Sequence, residues 1–169
     1  IELFDLGDIN GVANALSNND VCAVIIECVQ GVGGLDESTT SFYKRLHHLC
    51  KKFNVVLIAD EVQSGFGRTG DFFAFQKHKI IPDIISMAKG MGNGFPIGGI
   101  LIHPKIKASF GLLGTTFGGN HLACTASLTV LEVIKKEKLQ ENAKVIFDYF
   151  KKEAQSLPHL KAIKGRGLM

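Results

Sequence analysis

Residues 55–70, VVLIADEVQSGFGRTG, join a continuous apolar run to an abrupt polar ending. The run does not alternate between apolar and polar residues, and is therefore typical of a strand covered on both faces within a parallel sheet. Three more runs of this kind occur in the chain: CAVIIE at 22–27, DIISMA at 83–88 and GGILIH at 98–103. The sequence therefore predicts an α/β fold.

Segments with helical spacing lie between and after these runs. Hydroxyl residues at 38–40 predict the start of a helix, and Asn54 its end. Its apolar face consists of Phe42, Leu46, Leu49, Cys50 and Phe53. A strand, helix, strand unit of this kind folds into a mostly parallel sheet with helices on both sides. Two further helices are predicted, one around 122–136 and one from Leu139 to about Leu157.

Composition argues against several classes of partner. The 169 residues carry 19 Lys and Arg against 16 Asp and Glu, so the chain lacks the concentrated positive charge that nucleic-acid binding requires. No apolar run approaches the roughly 20 residues that span a bilayer. The four cysteines are widely spaced and form no CxxC pair, which predicts reduced, buried thiols of a cytoplasmic protein: Cys22, Cys28, Cys50 and Cys124.

Polar side chains end three of the apolar runs. Glu27 ends the first run, Asp60 ends the second, and Lys89 follows the third. Any one of them alone is best explained as a solvated residue where a strand emerges. Because the carboxyl ends of parallel strands meet at one edge of the sheet, the three together predict a crevice with a functional site.

Lys89 is followed by the glycine-rich segment GMGNG at 90–94. The segment matches neither G-x-G-x-x-G nor G-x-x-x-x-G-K-[ST], so no dinucleotide or P-loop site is predicted. Its glycines can adopt positive φ and leave room beside Lys89 for a flat ligand. A lysine that is desolvated and reachable in this way can form a Schiff base.

Four segments carry a family resemblance: IIECVQGVGG, VLIADEVQSGFGRTG, PDIISMAKGMGNG and GTTFGGNHLAC. In this order, over roughly residues 24–124, they resemble the signature motifs of the class III pyridoxal-phosphate-dependent aminotransferases. Among the subfamilies, the likeness is greatest to acetylornithine aminotransferases and their succinylornithine relatives. The resemblance implies the large domain of the aspartate aminotransferase-like fold (fold type I), with a mostly parallel sheet flanked by helices.

The resemblance assigns roles around the cofactor, pyridoxal 5'-phosphate. It implies that Lys89 is the catalytic lysine that binds the cofactor aldehyde, and that Asp60 pairs with the ring nitrogen. Val62 is expected to pack against the ring face, and Gln63 to contact the phenolate oxygen. Glu61 falls within the same cofactor-binding run, but strand alternation turns its side chain away, which favours a structural role.

The resemblance also implies a site shared between two subunits. Thr116 would bind the cofactor phosphate of the neighbouring subunit in a homodimer, while Thr115 and Glu27 would lie beside the substrate.

No metal is expected, because the adjacent His47 and His48 would point about 100° apart on a helix and could not bind one ion.

Two residues depart from the family pattern. Cys28 replaces the usual proline after Glu27, and Val32 replaces an acid in the turn QGVGG. In relatives that act on ω-amines, this acid masks an arginine while the amino donor binds. Its absence is consistent with a donor that carries an α-carboxylate.

Arg68 could bind a substrate carboxylate, but a structural role in its loop is the better account.

The function predicted from the resemblance is transamination of N-acetylornithine, or N-succinylornithine, with 2-oxoglutarate in arginine biosynthesis. Ornithine or 4-aminobutyrate aminotransferase, glutamate semialdehyde aminomutase and a non-catalytic truncated homologue stay open as alternatives. Because the chain begins without methionine and ends in KGRGLM, we expect a fragment of a longer protein. Residues 1–156 would form part of the cofactor-binding large domain, and 157–169 would begin the C-terminal small domain.

Overall fold

Four strands form one sheet, and their order in the sheet follows their order in the sequence. They are β1 (Ala23–Ile26), β2 (Val56–Asp60), β3 (Ile84–Met87) and β4 (Gly99–Ile102). The first three strands run parallel, whereas β4 pairs antiparallel with β3. The structure, a computed structural model, describes residues 1–169. The predicted α/β fold with a mostly parallel sheet is confirmed.

Four α-helices accompany the sheet: α1 (Ile9–Ser17), α2 (Thr40–Lys52), α3 (His121–Lys136) and α4 (Leu139–Gln155). Helix α2 begins where predicted, because the Thr39 hydroxyl accepts a hydrogen bond from the Phe42 N–H at 3.2 Å. Helices α3 and α4 also match their predicted spans. Helix α1 is not predicted by the apolar-run pattern, although Asp8 caps it by accepting from the Gly11 N–H at 2.9 Å.

The hydrophobic core lies on one face of the sheet. Side chains of α1 and α2 pack there against β2, with Tyr43 and Leu57 fully buried. The strand register places Ile25 and Ile100 on the opposite face, where they are 63% and 49% exposed. The prediction that the strands are covered on both faces is therefore wrong for this chain. Helices α3 and α4 instead contact each other and the loops that follow β2 and β3.

Residues 157–169 contact the loop that follows β2. The Leu168 N–H donates to the Arg68 carbonyl at 2.8 Å. The Arg166 guanidinium donates to Asp71 Oδ2 at 2.9 Å and to the Ala74 carbonyl at 3.1 Å. The segment contains no strand. That a second domain begins here stays a prediction.

Glu37 lies at the centre of a charged cluster beside this segment. Lys77 Nζ donates to Glu37 Oε2 at 2.8 Å. The other oxygen, Oε1, is 3.2 Å from Arg166 Nη2 and 3.3 Å from His78 Nε2, and neither of these contacts has hydrogen-bond geometry. Burial alone would raise the pKa of Glu37, but the interactions with His78, Lys77 and Arg166 outweigh burial and lower its pKa to about 2. The cluster therefore joins three parts of the chain that are distant in sequence.

The cysteines divide into two kinds, and all four are free thiols. Cys28 and Cys50 are buried, and burial raises the pKa of Cys50 to about 11. Cys22 and Cys124 are exposed, so the prediction of four buried thiols is wrong for these two.

None of the helices has the length and apolar character needed to cross a membrane.

Candidate active site

Asp60 ends β2, opposite Ser86 of β3. Its Oδ1 accepts hydrogen bonds from the Val62 N–H at 3.0 Å and from the Ser86 hydroxyl at 3.1 Å. Its second oxygen, Oδ2, has no hydrogen-bond donor in the chain. The half-buried carboxylate is therefore held by one oxygen and leaves the other available to a ligand.

Lys89 lies three residues beyond Ser86, where the chain leaves the sheet. Its φ is +43°, and it opens a short 3-10 helix at Lys89–Met91. A non-glycine residue in this left-handed region costs on the order of 1–2 kcal/mol, and such strain is concentrated at functional sites. The Lys89 side chain is exposed, so the predicted desolvation of its amine is not found in this chain.

A cavity of about 400 Å³ opens beside Lys89. Arg68 also lines it, together with part of the glycine-rich segment and the residues that follow: Gly90, Asn93, Gly94, Phe95, Pro96 and Ile97. The lining thus contains two cationic side chains and no acid, which favours an anionic ligand. Asp60 does not belong to this lining. Arg68, to which the sequence assigns a structural role, is therefore also a residue of the site.

The glycines after Lys89 are required by the backbone itself. A Cβ at Gly92 would overlap the carbonyl oxygen of Phe95. Gly94 has φ +103°, a conformation that side-chain-bearing residues rarely adopt. Backbone geometry at these two positions therefore explains part of the glycine-rich sequence before any ligand is considered, and Gly94 also lines the cavity.

Glu27 and Gln63 meet at Gly31, between the ends of β1 and β2. Glu27 Oε2 accepts a hydrogen bond from the Gly31 N–H at 2.9 Å. The side-chain amide of Gln63 packs so closely on Gly31 that a Cβ there would overlap it. The structure thus brings together a predicted substrate residue and a predicted cofactor residue.

Glu61 is buried on the other side of the strand end and is only 1% exposed. Its carboxylate accepts hydrogen bonds from the Ser64 hydroxyl at 2.7 Å, the Ala74 N–H at 2.9 Å and the Phe75 N–H at 3.0 Å. Burial raises the pKa of Glu61, although these donors oppose that effect. Since both of its oxygens already have donors, the geometry favours the structural role and not a cofactor contact.

Thr115 and Thr116 lie apart from these residues. They occupy an exposed loop between β4 and α3, and no hydrogen bond connects them to Asp60 or Lys89. The two threonines therefore have no contact in a single chain that would connect them to the other predicted site residues.

Ser86 is a site residue that the sequence pattern does not predict. It lies within the otherwise apolar run DIISMA, where a small hydroxyl is tolerated in any strand. One feature of the sequence could have indicated it. The run DIISMA follows a run that ends in Asp60, and a hydroxyl near the carboxyl end of an adjacent strand can reach that carboxylate.

The residues present fit the ring of pyridoxal phosphate. Its protonated nitrogen requires a carboxylate oxygen, which Asp60 Oδ2 offers, and its aldehyde requires an amine, which Lys89 supplies next to the cavity. Gln63 lies near the end of the same strand as Asp60 and has an amide that can donate to the phenolate oxygen.

The family model for class III aminotransferases matches residues 6–169, and the chain belongs to this family. Class III aminotransferases depend on pyridoxal phosphate. The chain is 44% identical over 166 residues to acetylornithine aminotransferase from Aquifex aeolicus, covering 97% of this chain and 43% of that protein. It is also 44% identical over 155 residues to the mitochondrial alanine–glyoxylate aminotransferase 2 homolog 2 of Arabidopsis thaliana, covering 88% and 32% of the two chains.

Solved structures of ornithine aminotransferases share this fold. The enzyme from Toxoplasma gondii, with partial occupancy of pyridoxal phosphate at its active site, superposes with a TM-score of 0.89 at 34% identity, covering 99% of this chain and 41% of that one. Ornithine delta-aminotransferase from Plasmodium falciparum superposes with a TM-score of 0.88 at 34% identity, covering 98% and 45%. The chain thus spans less than half the length of the relatives it matches.

Proposed function

We propose that this chain forms part of the active site of an aminotransferase that moves an amino group from N-acetylornithine or N-succinylornithine to 2-oxoglutarate, in arginine biosynthesis. Family membership supports the reaction type, and the acetylornithine aminotransferases among the relatives support the donor. The observation that carries the proposal is the carboxylate of Asp60, which is fixed by two donors on Oδ1 and free at Oδ2.

Asp60, Val62 and Gln63 would hold the cofactor ring. Bound pyridoxal phosphate supplies an electron-withdrawing ring that stabilises negative charge on the substrate carbon. Asp60 Oδ2 accepts a charge-assisted hydrogen bond from the protonated ring nitrogen and so keeps that proton in place. Val62 packs against the ring face, and the Gln63 amide donates to the phenolate oxygen.

Lys89 would act as both anchor and proton carrier. Its Nζ would bind the cofactor aldehyde. As a free amine, the same Nζ would accept a proton from the substrate carbon and return it as a general acid, a contribution typically worth 10² to 10⁴ in rate. Lys89 lines the cavity where the chain leaves the sheet.

A homodimer would complete the site. Because Thr115 and Thr116 are exposed and make no hydrogen bond to Asp60, we infer that Thr116 reaches the cofactor phosphate of a second subunit and that Thr115 lies beside the substrate there. Glu27 lies at the substrate side of the same crevice. Location in the cytoplasm stays a prediction, based on the cysteine pattern.

Val32 supports a donor with an α-carboxylate. It is 94% exposed in the turn after β1, where ω-amine-specific relatives are expected to carry an acid. Glu27, an acid next to this turn, is engaged by the Gly31 N–H. An arginine facing this turn would then be unmasked in both half-reactions, and it would bind the α-carboxylate of acetylornithine and that of glutamate alike.

A donor comparison tests this function. The complete gene product that contains these 169 residues is purified with pyridoxal phosphate and incubated with 2-oxoglutarate and one of four donors: N-acetylornithine, N-succinylornithine, ornithine or 4-aminobutyrate. Glutamate is then quantified. We expect the highest kcat/KM with an acylated ornithine. A preference for ornithine would replace the proposed donor, and no glutamate with any donor would favour the non-catalytic alternative.

A further inference from the structure

We propose that Ser86 is a positioning residue that fixes the plane and the basicity of the Asp60 carboxylate. The inference rests on the proposed function, since it assigns Ser86 a role only through a cofactor bound to Asp60. Nothing in the family motifs of this chain requires a hydroxyl at this position, and the interpretation comes from the geometry of the sheet.

The register of β2 and β3 makes the contact possible. Ser86 is the strand partner of Asp60, and partners in adjacent parallel strands project their side chains from the same face. The Ser86 hydroxyl lies 3.1 Å from Asp60 Oδ1, its one hydrogen-bond partner in the chain. The backbone holds the two strands together at this level, because the Glu61 N–H donates to the Ser86 carbonyl at 3.0 Å.

Two donors reach the same carboxylate oxygen from different directions. The Val62 N–H approaches Oδ1 from the chain's own next turn, whereas the Ser86 hydroxyl approaches it from the neighbouring strand. The terminal torsion of an aspartate is broad, so one donor alone leaves the plane of the carboxylate loosely defined. The second donor restricts that plane and thereby the direction of the free oxygen Oδ2.

The hydroxyl also affects where the shared proton lies. A hydrogen bond to an ionised carboxylate stabilises its charged form and lowers its affinity for a proton. With the Ser86 hydroxyl present, the proton between Asp60 Oδ2 and the ring nitrogen stays on the nitrogen. Without it, Asp60 becomes more basic and the ring nitrogen loses part of its positive charge. By orienting Asp60 Oδ2 and lowering the basicity of the carboxylate, the Ser86 hydroxyl favours the cofactor ring with a protonated, electron-withdrawing nitrogen.

The experiment compares Ser86→Ala, Ser86→Thr and Ser86→Val in the complete gene product loaded with pyridoxal phosphate. We expect Ser86→Ala to lower kcat about 10-fold, the effect of one hydrogen bond, with the donor KM changed less than about twofold. The pH midpoint of the visible absorbance should move to higher pH, because a less protonated ring withdraws less electron density from Lys89 Nζ, the nitrogen bonded to the cofactor aldehyde carbon. Ser86→Thr should restore both values because it keeps the hydroxyl.

The other variants remove competing explanations. Valine has nearly the shape of threonine without its hydroxyl, so a difference between Ser86→Val and Ser86→Thr isolates the hydrogen bond even if Ser86→Ala folds poorly. Ser41→Ala, an exposed serine in the first turn of α2, is the matched control and should behave as wild type. A purely structural serine would lower the melting temperature and leave the absorbance midpoint and kcat of the folded protein unchanged. That result would overturn the proposal.

Asp60→Asn, measured beside these variants, separates the two levels of inference. If Asp60→Asn impairs the enzyme but Ser86→Val and Ser86→Thr are alike, the role of Ser86 is refuted and the proposed function stands. If Asp60→Asn leaves activity and absorbance intact, the proposed cofactor contact itself fails, and the role of Ser86 fails with it.

Discussion

The side-chain amide of Gln63 packs directly on the backbone of Gly31, where the loops after β1 and β2 meet. Glu27 Oε2 accepts a hydrogen bond from the N–H of the same glycine at 2.9 Å. One residue without a side chain therefore separates two predicted site residues, and its small size sets the place of the Gln63 amide.

Gly31→Ala is expected to displace Gln63 without altering its chemistry. The added methyl group would occupy the volume of the Gln63 amide, which would have to turn away from the proposed phenolate contact. We expect the affinity for pyridoxal phosphate to fall about 10-fold, the effect of one hydrogen bond, as measured by absorbance titration of the cofactor-free protein. Ser41→Ala, at an exposed serine of α2, is the control. Equal affinity in the two variants would refute the contact.

Lys89→Ala is expected to abolish turnover. Anchoring of the aldehyde and proton transfer are lost together, so we expect kcat to fall at least about 10⁴-fold. Lys44→Ala, at an exposed lysine of α2, should keep wild-type activity. The Lys89→Ala variant should also lack the visible absorbance that, in the wild-type protein, disappears on borohydride reduction. Near-normal turnover would remove Lys89 from the mechanism.

Asp60→Asn is expected to preserve the fold and impair the chemistry. An amide keeps the shape of the carboxylate but cannot balance the charge of a protonated ring nitrogen, so the ring would stabilise a carbanion poorly. We expect kcat to fall at least about 100-fold while the circular dichroism spectrum stays unchanged. Loss of the folded state instead would show that Asp60 serves a structural network.

Glu37 predicts a specific dependence of stability on pH. Its folded pKa, about 2, lies below its ordinary value of 4.5, so its stabilising contribution is present above about pH 4.5 and is lost as the pH falls towards 2. We expect Glu37→Gln to lower the free energy of unfolding at pH 7 by about 1–3 kcal/mol, and we expect the difference from wild type to shrink below pH 4.5.

Urea unfolding of the cofactor-free protein at pH 3, 5 and 7 measures this difference. Glu2→Gln, which changes an exposed acid near the chain start, is the matched control and should leave the stability unchanged at each pH. A difference between Glu37→Gln and wild type that stays constant with pH would mean that the Glu37 carboxylate has its ordinary pKa in the folded protein.

The sequence predicts those parts of the fold that depend on neighbours along the chain. The continuous run of β2 and the apolar stripe of α2 each reflect local periodicity, and both elements lie where they are expected. The contacts of Ser86 with Asp60, and of Arg166 with Asp71, join residues 26 and 95 positions apart. Such contacts depend on the three-dimensional arrangement of the strands and loops, which local patterns do not encode.

Exposure is the other property that local patterns do not predict. The apolar run of β4 resembles that of β2, yet Ile100 is 49% exposed because no helix of the chain packs over it. In the same way, the glycines after Lys89 indicate an open site, but they do not determine how much of the lysine contacts solvent.

At Lys89 the proposed chemistry and the stability of the fold favour different residues, because the backbone there is left-handed. A glycine would adopt this conformation without the cost of about 1–2 kcal/mol that a lysine incurs. Selection for folding alone would therefore favour replacing the lysine. The proposed contact between the Lys89 amine and the cofactor aldehyde opposes this replacement, so stability and activity place opposite demands on position 89.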